Sequence, residues 1–211
     1  MTGEKPLLVV GSFNPAKAGE MADLLSDLNV PVKSARGFPG VKPVPEDGTT
    51  FAENARIKAV QIEAQLGQTE DILGVVADDS GLEVDALDKR PGVYSARYLG
   101  EKATDPERVR GILGELGDLP EEKRTARFRC AIAFARRGKV PIATEGVVEG
   151  RIAFAPAGDF GFGYDPIFIP EGHERTFAEL GAEVKHRISH RAVALREFHE
   201  RLVAFLGERK E

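Results

Sequence analysis

The sequence predicts an α/β fold, in which strands and amphipathic helices alternate along the chain. A short apolar run at Leu7–Val10 reads as a buried strand, and a tight loop and a helix follow it. Apolar residues recur at i, i+3, i+4 and i+7 in this first helix and again after Thr104, which is the spacing of one buried helix face. Two later apolar stretches, 126–136 and 140–154, predict a pair of strands joined by a turn.

Size and charge narrow the class of protein. With 211 residues, of which 42% are hydrophobic and 30% charged, the chain has the profile of a globular protein, large enough for one sizeable core or for two lobes that share a sheet. The formal net charge of -5 argues against a nucleic acid polymer as partner, because such binding needs a basic face. An anionic ligand would therefore have to be held by local positive groups.

The single cysteine and the absence of a long apolar run bear on location. Cys130 excludes an internal disulfide, and its apolar context FRCAIAF predicts a packing role. No run approaches the roughly 20 apolar residues of a membrane span, and the N-terminal apolar run is too short for a secretory leader. These features predict a reduced, cytoplasmic setting and no membrane partner.

The first loop, GSFNPAK, has the features of a phosphate-binding turn. Asn14 is predicted to cap the first helix, and Pro15 suits its first position. Free backbone N–H groups and the positive end of the helix dipole would favour phosphate there, and Lys17 would add a full charge. The alternative is an ordinary helix start with a solvated lysine.

An extended segment and a loop over residues 29–48 end in the acidic pair Glu46 and Asp47. A second helix then begins, because Thr50 and Glu53 have the spacing of a capping box. Glu46 lies just before this helix and could add a carboxylate to a metal site. Simple solvation of a loop glutamate is the alternative.

The stretch VVADDSGLEVDAL, residues 75–87, is the most informative in the chain. It predicts a buried strand that ends in an acidic turn at Asp78 and Asp79 and breaks at Ser80 and Gly81. Two ionised carboxylates beside a core are costly unless a cation meets them, and Mg²⁺ is the natural partner. Side chains alternate along an extended chain, so the two aspartates are expected on opposite faces. A surface turn is the alternative, since Asp, Ser and Gly all favour turns.

A second unusual stretch, GDFGFGYDPIFIP at 158–170, alternates glycines with aromatic residues. Glycine allows a backbone to approach a ligand, and Phe162 or Tyr164 could stack on a flat ring. The alternative is a bulged turn whose aromatics belong to the core.

The last element carries Lys185 and then the sequence ISHR. Ser189 is predicted to cap a terminal helix, which places His190 and Arg191 in its first turn. Donors at that position suit an oxygen-rich group. Solvated basic residues at a helix start are the alternative.

Six segments in series carry a family resemblance: SFNPAK (12–17), EDGTTFAENA (46–55), ADDSGLEVDAL (77–87), PGVYSARY (91–98), GFGYDPIF (161–168) and KHRISHR (185–191). In order and spacing they closely resemble the inosine/xanthosine triphosphate pyrophosphatase family, also described as Ham1-like. Members usually have Thr at the position of Ser12, a change that keeps the hydroxyl.

This resemblance implies an enzyme that uses Mg²⁺ to hydrolyse the non-standard purine nucleotides ITP, dITP and XTP. Water would attack the α-phosphorus to give the monophosphate and pyrophosphate, which removes damaged nucleotides from the pool. It also implies a single domain over residues 1–211 with an elongated, two-lobed α/β fold. A mixed central β-sheet would be flanked by helices, the active-site cleft would lie between the lobes, and the protein would be a homodimer.

The resemblance assigns roles to particular residues. Asp79 matches the catalytic base and, with Glu46, the carboxylates of the metal site. The predicted triphosphate loop comprises Ser12, Phe13, Asn14, Pro15, Ala16 and Lys17, with Ser80 near the substrate. The predicted base and sugar contacts are Phe162, Gly163, Tyr164, Asp165, Lys185, His190 and Arg191.

Two other functions are compatible with parts of this pattern. A pyrophosphatase of other modified nucleotides would share the phosphate and metal chemistry and differ in the base pocket. A nucleotide-binding regulator without hydrolysis would need the glycine–aromatic and ISHR segments, but it would have no evident use for Asp79.

Overall fold

A six-stranded mixed sheet carries the fold in the computed structural model, which describes residues 6–28, 30–67 and 71–207. Its strands are β1 (Leu7–Val10), β2 (Val32–Ser34), β3 (Ile72–Val84), β4 (Thr125–Arg136), β5 (Lys139–Ile152) and β6 (Phe168–Pro170), in the order β2-β1-β3-β4-β5-β6. β1 pairs in parallel with β2 and β3, whereas β5 and β6 are antiparallel. The predicted α/β class with a mixed sheet is confirmed. Residues 1–5, which the prediction on a secretory leader includes, lie outside the described residues. Asn29, the first residue of the predicted extended segment 29–48, also lies outside them.

Five helices accompany the sheet in the described part of the chain: α1 (Pro15–Leu24), α2 (Phe51–Leu66), α3 (Asp105–Leu116), α4 (Phe177–Ile188) and α5 (His190–Gly207). The predicted caps at Asn14, Thr50 and Thr104 are confirmed, since each side chain accepts hydrogen bonds from the first turn of its helix. Sequence reasoning did not predict α4, although Thr176 and Glu179 form a capping box at its start.

The predicted turn at the two aspartates is wrong. β3 continues without a break through Asp78, Asp79, Ser80 and Gly81 to Val84, and every residue from 73 to 79 is buried. Turn propensity is a local preference, and incorporation of this segment into the sheet between β1 and β4 overrides it here. The two carboxylates therefore lie inside a strand.

The predicted hairpin is confirmed, with strand ends that differ from the expected ones by up to two residues. Arg137 and Gly138 join β4 to β5 with φ angles of 51° and 71°, the conformation of a type I′ turn. Glu63 on α2 accepts hydrogen bonds from the backbone N–H groups of both turn residues. The turn is thus fixed by a buried carboxylate.

The chain divides into two compact units. The first comprises Met1–Asp79, Ala131–Glu145 and Val193–Glu211, and the second comprises Ser80–Cys130 and Gly146–Ala192. The strands β3, β4 and β5 therefore contribute residues to both units. Cys130 lies on β4 and is buried, which confirms its predicted packing role.

Each unit has its own apolar core. In the first unit Val9, Ile62 and Val75 are fully buried together. In the second unit Phe168 lies between two other rings, with centroids 4.6 Å from Phe128 and 5.5 Å from Phe177. Close aromatic contacts of this kind add to the energy of apolar burial.

Arg124 is a structural residue of the second unit. Its guanidinium donates hydrogen bonds to the carbonyl oxygens of Ile152 and Ala153, each at 3.0 Å, and of Gly117 at 3.1 Å. The same group lies 4.6 Å from the ring centroid of Phe154. Arg124 thus links the end of α3 to the end of β5.

No helix among the described residues is long and apolar enough to cross a membrane.

We expect Arg124→Met to lower the free energy of unfolding by about 2–4 kcal/mol, because several buried carbonyl groups lose a charged donor. Urea unfolding followed by circular dichroism measures the change. Arg110→Met is the matched control, since Arg110 is exposed on α3. Equal effects of the two substitutions would contradict this role for Arg124.

Candidate active site

Two buried carboxylates form the centre of the first unit's predicted site. Asp78 and Asp79 are 1% and 3% exposed. Nζ of Lys17, on α1, lies 3.7 Å from Oδ2 of Asp78, and Nζ of Lys58, on α2, lies 3.6 Å from Oδ1 of Asp79. Each aspartate thus meets a lysine from a different helix, consistent with the expected alternation along the strand.

Helix α2 also orients the second aspartate. Nδ2 of Asn54 donates to Oδ2 of Asp79 at 2.9 Å, and its Oδ1 accepts the backbone N–H of Gly48 at 2.8 Å. Lys58 donates from Nζ to Oε1 of Glu46 at 3.1 Å. The structure therefore brings Glu46 and Asp79 together around one ammonium group.

Sequence reasoning missed Asn54 and Lys58. Their spacing of i and i+4 places both on one helix face, which was the available signal. That signal is weak without knowledge of which strand the face meets.

The charges around Asp79 change its protonation. Burial raises the pKa of the Asp79 carboxyl, and the lowering effect of Lys58 and Lys17 only partly offsets it. Burial also acts to lower the pKa of Lys58, but the charges of Asp79, Asp78 and Glu46 outweigh it and leave that pKa above its ordinary value. Lys58 thus stays charged, while Asp79 can accept a proton more readily than an exposed aspartate.

The residues present fit a hard divalent cation completed by a ligand. Among the residues described, no group of three histidine, cysteine or acidic side chains could hold a metal ion unaided. Glu46 and Asp79 nevertheless direct carboxylate oxygens at the same ammonium group, at 3.1 and 3.6 Å. Mg²⁺ commonly takes one or two carboxylates and fills its other positions with phosphate oxygens and water.

The predicted triphosphate loop is partly closed by its own cap. Oδ1 of Asn14 accepts hydrogen bonds from the backbone N–H groups of Ala16 and Lys17, at 2.9 and 3.2 Å. The sequence predicted free N–H groups here, but these two are already bonded and are not available to an anion. Pro15 has no N–H group. Ser12 is buried, and Phe13 packs against the first unit's core. The ammonium group of Lys17 is therefore the feature of this loop best suited to phosphate.

In the second unit, the first turn of α5 is held against β3. Nη2 of Arg191 donates to Oγ of Ser80 at 2.9 Å, and Arg191 is only 1% exposed. The ring of His190 stacks on Phe128, with centroids 4.7 Å apart and planes inclined by 14°. Ser189 accepts the N–H of Ala192 at 3.1 Å, which confirms the predicted cap of α5.

The glycine–aromatic loop, defined as residues 161–165, is built around one carboxylate. Oδ2 of Asp165 accepts the backbone N–H of Phe162 at 2.9 Å and Nζ of Lys185 at 2.6 Å. The same Nζ lies 4.4 Å from the centroid of the Phe162 ring. The predicted base residues Phe162, Asp165 and Lys185 thus form one contact group.

Of the two aromatic residues predicted for ring stacking, Tyr164 belongs to the core. It is 4% exposed, its hydroxyl donates to the carbonyl oxygen of Ser95 at 2.9 Å, and burial raises its pKa. Phe162 is only half-buried and remains the candidate for stacking.

The glycines of this stretch serve two purposes. A Cβ at Gly158 would lie 2.4 Å from the carbonyl carbon of Ala178, so this glycine allows close packing against α4. Gly163 has a φ of 64° and open space where its Cβ would be. The space beside Gly163 leaves room for a ligand.

We expect Lys58→Met to destabilise the fold by about 3 kcal/mol near neutral pH, because it leaves buried carboxylates with less compensating charge. Because the charge of Lys58 lowers the pKa of Asp79, the raised folded-state pKa of this carboxyl should rise further in the variant. A group with a raised folded pKa loses its stabilising contribution as pH rises through that pKa, so the difference from wild type should shrink as pH falls toward about 5. Urea unfolding in EDTA at both pH values measures this, with exposed Lys42→Met as control. A loss that is independent of pH would contradict the expectation.

Comparisons with known proteins agree with these observations. The family model described as the Ham1 family matches residues 8–201. A protein of Shouchella clausii named dITP/XTP pyrophosphatase is 48% identical over 193 residues, covering 92% of this chain and 94% of the relative. The structure of a HAM1 protein from Coxiella burnetii superposes with a TM-score of 0.83 at 41% identity, covering 94% of this chain and 99% of the other. A Mycobacterium abscessus structure described as a nucleoside-triphosphatase, dITP/XTP pyrophosphatase, has a TM-score of 0.72 at 42% identity, covering 91% and 98%. The chain therefore belongs to the Ham1 family.

Proposed function

We propose that this protein hydrolyses the non-standard purine nucleoside triphosphates ITP, dITP and XTP to the monophosphate and pyrophosphate. The observation that carries the proposal is the buried carboxylate centre, in which Asp79 is held by Asn54 and Lys58. Relatives at 43–48% identity are named dITP/XTP pyrophosphatases. The cellular consequence would be removal of damaged nucleotides from the pool.

Mg²⁺ is the proposed cofactor, with Glu46 and Asp79 as its carboxylate ligands. When bound, it would neutralise phosphate charge and polarise the scissile group. Lys17 and Lys58 are the proposed phosphate contacts of the chain itself. Both are point charges close to the carboxylates, and an ammonium group is well suited to phosphate oxygens.

Asp79 is the proposed general base. The oxygen of a water molecule bonds to the α-phosphorus, the bond from that phosphorus to the bridging oxygen of the β-phosphate breaks, and pyrophosphate leaves. The proton of the water passes to the Asp79 carboxylate. Burial raises the pKa of this carboxyl toward the working pH, which favours such a transfer, and the hydrogen bond from Asn54 fixes its orientation.

The second unit is proposed to recognise the base. Hypoxanthine and xanthine present a 6-oxo acceptor, and His190, Arg191 and Lys185 can supply donors to it. Adenine has an amino donor at that position, so these donors would stay unpaired. A site built on such hydrogen bonds can reject the wrong partner by roughly 10⁴–10⁵-fold. The ring of Phe162 is the proposed stacking partner.

GTP requires a different basis for exclusion, because it also carries a 6-oxo group and differs from ITP by a 2-amino group. The backbone of the glycine–aromatic loop is proposed to form the floor of the base pocket. There the amine would clash, or it would lose its water without gaining a hydrogen-bond partner.

A regulator without hydrolysis is the weaker candidate, since it gives no purpose to the centre around Asp79. A homodimer and a cytoplasmic location remain predictions from the resemblance and the composition.

A substrate panel tests the function. With Mg²⁺, pyrophosphate release should be far faster from ITP, dITP and XTP than from ATP, GTP, CTP or UTP. Asp79→Asn should lower turnover on ITP by roughly 10²–10⁴-fold while the fold is retained, because the base is lost. Asp47→Asn, an exposed neighbour of Glu46, is the control. Faster release from a pyrimidine nucleotide, or near wild-type turnover by Asp79→Asn, would overturn the proposal.

Arg191→Ala tests base recognition separately from chemistry. Losing a donor to the 6-oxo group should lower the ratio of kcat/KM for ITP over ATP more than the ratio for ITP over GTP, since ITP and GTP share that group. Steady-state pyrophosphate release on the three nucleotides measures both ratios. Arg187→Ala, at the exposed end of α4, is the control. Equal losses on ITP and ATP would remove Arg191 from base recognition.

A further inference from the structure

The glycine–aromatic loop is attached to the rest of the second unit at several points. Asp165 and Lys185 hold Phe162 from within the predicted base site. The hydroxyl of Tyr164 holds the next part of the loop to the carbonyl oxygen of Ser95. Gly163 lies between these attachments, and its backbone is held from elsewhere.

The partner of Gly163 is Asp105, the first residue of α3. Oδ2 of Asp105 accepts the Gly163 N–H at 2.8 Å, across 58 residues of sequence. Oδ1 of the same carboxylate accepts Nη1 of Arg108 at 3.0 Å. A backbone N–H bonded to a carboxylate is a charge-assisted hydrogen bond, stronger than one between neutral groups.

The ion pair with Arg108 makes this contact a fixed one. The Asp105 side chain is about half exposed, at 46%, whereas Arg108 is 9% exposed and packed into the second unit. An exposed aspartate alone would be free to turn toward water. Because one oxygen is held by a buried guanidinium, the other is kept facing Gly163.

We propose that Asp105 is a positioning residue that sets discrimination between hypoxanthine and guanine. The inference rests on the proposed function, in which the loop backbone is the floor that excludes a 2-amino group. Gly163 has open space at its α-carbon and a φ of 64°, a conformation available to glycine without strain. Asp105 and Arg108 fix the position of the Gly163 backbone. They thereby fix the space left for a substituent at C2 of the purine base.

Loss of the Asp105 carboxylate should allow the Gly163 backbone to move, and it should leave the groups proposed to act on the phosphates unchanged. Asp105 makes none of the contacts described for Asp79, Lys17 or Lys58. Displacement of a site backbone by about 1 Å is enough to change rates by large factors. Discrimination based on the fit of one small group is worth about 10–200-fold, so it is sensitive to such movement.

The test compares ITP with GTP in matched variants. Asp105→Ala should lower the ratio of kcat/KM for ITP over GTP by about tenfold, within the range that one small group supplies. Asp105→Asn keeps an oxygen that can accept the Gly163 N–H, and it should restore most of the ratio. Asp118→Ala, which makes the same charge change at an exposed aspartate just beyond the other end of α3, is the control.

A binding measurement separates this inference from the proposed function. Calorimetric dissociation constants for IMP and GMP need no hydrolysis, and Asp105→Ala should reduce the preference for IMP by a similar factor. Faster hydrogen exchange of the Gly163 amide would report the lost contact directly.

If wild type releases pyrophosphate from ITP but Asp105→Ala leaves both ratios unchanged, the inference fails and the function stands. If wild type does not hydrolyse ITP, the function fails, and a changed IMP to GMP preference would still support Asp105. A uniform loss on all nucleotides would reduce Asp105 to a structural residue.

Discussion

Two carboxylates buried side by side in the middle of a strand constrain the whole first unit. Unpaired, Asp78 and Asp79 would cost several kcal/mol each. Lys17 and Lys58 must therefore come from two helices to meet them, and the loop at Gly48 is held in turn through Asn54. The arrangement that makes the aspartates tolerable also surrounds them with groups suited to phosphate. Stability and the proposed chemistry depend on the same contacts.

The sequence could predict those parts of the fold that local patterns determine. Four helix starts and the hairpin follow from caps, apolar spacing and turn residues, all of which act within a few positions. A buried strand leading to Asp78 and Asp79 was predicted, but its continuation through Ser80 and Gly81 to Val84 was not, because pairing within the sheet overrides the turn preference of these residues. Helix α4 was missed because Gly181 interrupts it with a φ of 78°, which leaves only a short periodic run on each side.

The candidate site shows the same division between chemistry and partners. Residue types suited to metal, phosphate and ring recognition were visible in the chain, and the structure groups many of them. Their supporting residues were not visible: Asn54 lies 25 residues from Asp79, and Asp105 lies 58 from Gly163. Asp105 could be read only as part of a helix start, since nothing nearby indicates its second contact. Tyr164 and Phe162 looked equivalent until burial distinguished them.

The division of the first unit into three separated stretches bears on how the protein is made. Its strands and helices before Asp79 leave the ribosome early, but Ala131–Glu145 and Val193–Glu211 follow much later. The Glu63 carboxylate can form its hydrogen bond with the backbone N–H of Gly138 only after a further 75 residues have been synthesised. Contacts over such separations close slowly, because loop closure costs entropy before the contacts compensate for it. The half of the protein that begins first is therefore completed last, and its apolar surfaces remain open to chaperones during synthesis.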